Sequence, residues 1–74
     1  MSEARQYLIV IEGDGETNFS AYAPDLPGCI ATGATLAEVE ELMREGIRLH
    51  LEVMLEGGEP IPEPTAVGAA LVAV

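Results

Sequence analysis

The chain contains no lysine and no tryptophan, and it has one cysteine, one histidine and one phenylalanine among 74 residues. A lone thiol, Cys29, rules out an intrachain disulfide. With His50 as its only partner it is also too little for a structural zinc site. Three arginines face thirteen acids, for a net charge of -10. Nucleic-acid binding rests on cations that neutralise phosphates, so direct nucleic-acid binding is not expected. Without lysine, Gly13-Asp14-Gly15 reads as a hairpin turn and not as a phosphate loop. The start MSEARQ lacks the charged-then-apolar pattern of a signal peptide. The longest apolar run, residues 67–74 with a glycine inside, falls well short of the roughly 20 residues that cross a bilayer. A soluble, cytoplasmic protein with no membrane contact is expected.

What remains is apolar and acidic. A hydrophobic fraction of 49% is too high for a disordered chain. The length suits one domain, residues 1–74, with a core so small that self-association is the natural supplement. The negative surface has two readings. It serves solubility, or it attracts a basic partner and speeds encounter by electrostatic steering.

Along the chain, residues 5–12, RQYLIVIE, are rich in β-branched and aromatic residues and predict a strand. Tyr7, Ile9 and Ile11 point to one face, and Leu8 and Val10 to the other. Both faces are apolar, so each needs a cover, and one helix supplies only one. Asp-Gly turn chemistry follows, then a returning strand at residues 18–23. Two prolines stiffen the corner Pro24-Asp25-Leu26-Pro27-Gly28, and a short third strand occupies residues 29–33. Thr35 and Glu38 fit a capping box, opening a helix at about residues 36–56 that stops at Gly57-Gly58. Leu36, Val39, Met43, Gly46, Ile47, His50, Val53 and Met54 form its apolar face. Gly46 suggests close packing on the sheet. Among the i,i+4 charge neighbours, Glu40–Arg44 is the attractive pair. A proline-stiffened crossing, Glu59-Pro60-Ile61-Pro62-Glu63-Pro64, leads to a final strand at residues 65–74. The expected class is α+β: a βββαβ unit with a small antiparallel-type sheet and one long helix packed on one face.

The sequence argues against catalysis. A two-metal nuclease site needs several converging carboxylates, but the first strand centres on Leu8, Ile9 and Val10. Asp14 and Asp25 fall in turns and Glu12 at a strand end, where solvation and turn chemistry explain them. Cys29 and His50 lack a third, orienting group. No enzyme activity, no cofactor and no metal are expected.

Three pieces in order, Pro24-Asp25-Leu26-Pro27-Gly28-Cys29, Gly33-Ala34-Thr35-Leu36-Ala37-Glu38-Val39 and Glu59-Pro60-Ile61-Pro62-Glu63-Pro64, resemble the HicB-like antitoxin signature over nearly the whole chain. The resemblance implies a truncated ribonuclease H fold. It also implies a partner, a small basic toxin (HicA-like) that cleaves messenger RNA. Ala34 departs from the acid that usually precedes the capping threonine. Many members also carry a C-terminal DNA-binding segment, whereas this chain stops after its last expected strand.

The expected toxin-binding residues are Tyr22, Asp25, Leu26, Glu41 and Glu45. Asp25 and Leu26 would project from the rigid corner, and the helix acids would stand where phosphates lie. For the corner, a purely structural role explains every residue equally well, and the helix acids also suit a solvated face. Leu8, Val10, Leu51 and Leu55 are expected to mediate self-association into a homodimer or homotetramer. The alternative function is an orphan, homo-oligomeric binding or scaffold module without a toxin.

Overall fold

Three short alternating segments pair as an antiparallel sheet ordered β1-β2-β3, with strands β1 (Val10–Gly13), β2 (Phe19–Tyr22) and β3 (Ile30–Gly33). A single long helix, α1 (Leu36–Glu56), follows. This α+β arrangement comes from a computed structural model that describes residues 5–14 and 16–74. Most of the MSEARQ start, and Gly15 of the expected hairpin turn, lie outside the described residues.

The register sets the two faces of the sheet. Ala21 pairs with Ile11 and Ala31, and Tyr22 with Val10 and Ile30. Successive strand side chains point to opposite faces, so Ile11, Ala21 and Ala31 form an inner row and Val10, Tyr22 and Ile30 an outer one. The helix packs on the inner face over β3 and β2. There Val39 and Met43 meet Ala21, Ala23, Leu26 and Cys29 in the core.

The helix boundaries follow local chemistry. Thr35 Oγ1 accepts the Glu38 amide at 3.0 Å, and the Glu38 carboxylate accepts the Ala34 amide at 2.6 Å, one residue before the cap. At the other end Gly57 stays right-handed. Gly58, at φ +75°, takes the left-handed position, and the Glu59 amide closes on Met54 O at 2.9 Å. A Cβ added at Gly46 would lie 3.7 Å from Cys29 Sγ, an ordinary contact. The expected close approach at that glycine is therefore absent. Leu36 and Val53, expected on the packed face, are exposed. Leu51, expected outside it, packs against the core.

Two strand expectations need correction. The first strand's ladder begins only at Val10, because its partner runs out at Tyr22, where Pro24 offers no amide and the chain turns. Ala23 instead donates to Cys29 O at 3.2 Å across the corner. The second correction concerns residues 65–74. Among the described residues, no strand follows the helix, and Val67, Leu71, Val72 and Val74 are exposed. The crossing is nonetheless held. Tyr7 donates its hydroxyl hydrogen to Pro62 O, and Arg5 pairs with Glu63 at 3.1 Å.

Candidate protein-binding surface

The outer sheet face has no helix over it. Its apolar row, Val10–Tyr22–Ile30, crosses all three strands, with Tyr22 41% and Ile30 73% exposed. The next row on the same face is Glu12–Ser20–Thr32, so one end is greasy and the other polar. An aromatic ring flanked by aliphatic side chains, rimmed by polar groups, is the composition that anchors protein contacts. Val10 shares the face of Tyr22, its partner in the ladder. One residue expected to bind a partner, Tyr22, and one expected to bind a second copy, Val10, thus meet on this face. Ile30 was not among the expected site residues, although the alternation Cys29, Ile30, Ala31, Thr32 would have placed it outward.

The other expected site residues scatter. Leu26 is wholly buried and does not project. The corner folds as successive turns, with the Leu26 amide on Ala23 O and the Cys29 amide on Leu26 O, both at 3.1 Å. These turns aim the leucine into the core. Asp25 does not project toward a partner either. Its carboxylate accepts the amides of Thr65 at 3.0 Å and Ala66 at 3.1 Å, and the Thr65 hydroxyl as well. The Thr65 hydroxyl and the two amides hold this carboxyl below its usual range. The corner therefore clamps the crossing that follows the helix.

Glu41 and Glu45 stand on the exposed side of α1, across the layer from Tyr22. Each is paired with an arginine three residues on: Glu41 with Arg44 at 3.6 Å and Glu45 with Arg48 at 2.8 Å. Glu52 adds a second partner to Arg48 at 2.6 Å. These pairs replace the expected Glu40–Arg44 contact. With Arg5 on Glu63, every arginine of the chain is in an ion pair. Leu55 is exposed near the helix end.

Three groups of possible chemical interest have structural roles. Asp14 closes its turn by accepting the amides of Glu16, Thr17 and Asn18, which lowers its pKa. Burial pushes the Cys29 thiol up, away from the thiolate a nucleophile needs. Among the described residues, no three histidine, cysteine or acidic side chains gather as metal ligands, and no helix is long and apolar enough to cross a membrane.

Comparison with known proteins places this arrangement. Residues 7–73 match the family described as HicB-like antitoxin of bacterial toxin-antitoxin system. The chain is 41% identical over 59 residues to a 14.9 kDa protein from the rep-hol intergenic region of Haemophilus phage HP1; this covers 77% of the chain and 42% of the phage protein. The chain thus spans less than half the length of that relative. It is 39% identical over 56 residues to a UPF0150 protein of Archaeoglobus fulgidus, covering 73% of the chain and 81% of the relative. A UPF0150 protein of Synechocystis is 28% identical over 57 residues, covering 77% and 72%. No solved structure gives a significant match.

Proposed function

The chain belongs to the HicB-like antitoxin family, and from that premise we propose that it neutralises a small basic, RNA-cleaving toxin of the HicA type by covering its RNA-binding surface. The observation that carries this reading is the uncovered outer sheet face, with Tyr22 at the centre of the Val10–Tyr22–Ile30 row. A basic toxin binds RNA through cations. The antitoxin opposes them with a net charge of -10 and seats an aromatic anchor where a base would stack. Charge governs how fast the two meet, and the apolar row governs how long they stay. Inhibition is by occupancy: no bond is made or broken, no metal or cofactor takes part, and the protein is not an enzyme. Because every arginine is engaged with a carboxylate, the chain does not itself grip nucleic acid. It acts in the cytoplasm, where messenger RNA is cleaved.

The test is co-expression with a candidate small basic toxin of the HicA type, followed by affinity capture and an RNA-cleavage assay. The pair should co-purify, and added chain should stop cleavage. Tyr22→Ala should weaken capture at least ~10-fold while leaving the helical circular dichroism unchanged. Rising salt should slow association more than it speeds dissociation. Unaltered capture by Tyr22→Ala and by Ile30→Glu would move the interface off this face.

A further inference from the structure

The chain has three arginines, and all three, Arg5, Arg44 and Arg48, line one open groove of about 910 Å³. The groove exists because α1 lies over β3 and β2 and stops short of β1. Its floor is Ile9, Ile11, Met43, Ile47 and Leu51. Met43 is buried, but the other four are only half-buried where they flank the core. Among the described residues, Glu40 is the one acid in the lining. Three cations against one acid make the groove locally positive, on a chain whose net charge is -10.

We propose that this groove binds a free anionic amphiphile, an alkyl chain with a carboxylate head, its chain on the isoleucine floor and its head on Arg44 and Arg48. The floor side chains offer no hydrogen-bonding group, and the Tyr7 hydroxyl in the same lining already donates to Pro62 O. A peptide would bring an amide and a carbonyl with every residue and leave them unmatched there. An alkyl chain brings neither. The ion pairs do not close the arginines to a ligand. Arg44 and Arg48 are exposed neighbours one turn apart on α1. The nearest approach of Arg44 to Glu41 is 3.6 Å, from Nε, which is beyond hydrogen-bond distance. Its terminal nitrogens therefore remain for a bidentate carboxylate. The partners Glu41, Glu45, Glu52 and Glu63 stand outside the lining, and exposed pairs of this kind hold their partners weakly. A membrane is not the source of the ligand, because thirteen acids repel an anionic lipid surface. The floor belongs to the inner side of the sheet, away from Tyr22, so the groove works with or without a toxin.

Titrating the full chain with dodecanoate, below the concentration at which it forms micelles, tests this by methyl NMR. The Ile9, Ile11, Ile47 and Leu51 methyls should shift and saturate at one molecule per chain, while the Ile30 methyls on the outer face stay still. Dodecyltrimethylammonium, the same tail under a cationic head, should shift the groove methyls with at least ~10-fold lower affinity. Arg44→Gln with Arg48→Gln, two exposed changes to another good helix former, should weaken dodecanoate at least ~10-fold. Helical circular dichroism and the weak binding of the cation should not change. Equal affinities for the two heads, an unaltered double variant, or shifts centred on Ile30 would each overturn the proposal. NOEs from the Leu71 or Val72 methyls to Ile47 or Leu51 in the free protein, within a chain or between chains, would overturn it too, since the tail would then fill the groove. So would co-sedimentation of the chain with anionic phospholipid vesicles. No toxin enters the titration, so its failure and the failure of the antitoxin reading are separate results.

Discussion

The corner at residues 24–29 and the tail at residues 67–74 are both built from small and apolar residues, yet one is sunk in the core and the other stands in solvent. Leu26 is 0% exposed, whereas Leu71 has no cover at all. The difference lies in closure. The corner's backbone groups bond to one another across two successive turns, so its leucine enters the core with no amide stranded. The tail beyond Ala66 has no partner strand within its own chain, and burying it alone would strand its backbone groups. Apolar composition supplies the drive for burial, and hydrogen-bond closure decides where burial occurs.

The largest expected effect separates the two leucines. Leu26→Ala should lower the unfolding free energy by about 2–5 kcal/mol, the range for a fully buried leucine. Urea titration should show that loss at every protein concentration. Leu71→Ala, at a fully exposed position, should change stability by less than about 0.5 kcal/mol. Equal losses at the two sites would erase the contrast.

The two glycines make a matched pair of intermediate size. A Cβ at Gly28 or at Gly68 would meet nothing within 4 Å, but only Gly28 sits at positive φ, +88°. Gly28→Ala should therefore cost about 1–2 kcal/mol through backbone strain alone, and Gly68→Ala less than about 0.5 kcal/mol. Thermal unfolding of the two variants side by side measures the difference.

The smallest effect concerns the clamp that joins the regions. The Asp25 carboxyl is depressed in the folded chain. Its contribution is therefore complete above its unfolded value, near about 3.9, and is lost as the pH falls through the lower folded value. Amide exchange at Thr65 and Ala66 should rise in acid before the helix opens. Asp25→Asn should raise exchange at those two amides at least ~10-fold at neutral pH and abolish the acid step. Exchange that tracked global unfolding instead would mean the crossing is not a separate, clamped unit.

These contrasts also mark how far the residues could be read in advance. The helix ran from Leu36 to Glu56 as expected, because Thr35, Glu38 and the Gly57-Gly58 pair act within a few residues of themselves. The three paired strands were legible for the same reason, apart from the stretch of β1 whose partner turns away at Pro24. The candidate surface was half legible. Tyr22 could be placed by alternation, and Ile30 by the same rule applied to the third strand. Asp25 and Leu26 looked like a projecting pair, because nothing local says that one would clamp Thr65 and Ala66 and the other would fill the space beneath Val39 and Met43.

The sequence by itself determined the charge, the capped helix, the stiff corner and the family signature, since each depends on composition or on neighbours a few residues apart. Only the tertiary structure decided which apolar residues are core and which are surface, that the arginines pair with carboxylates along α1 and at the crossing, and that one sheet face stands uncovered by the helix. Those outcomes rest on contacts between residues up to 58 positions apart, as with Arg5 and Glu63, and such contacts exist only once the chain has closed on itself.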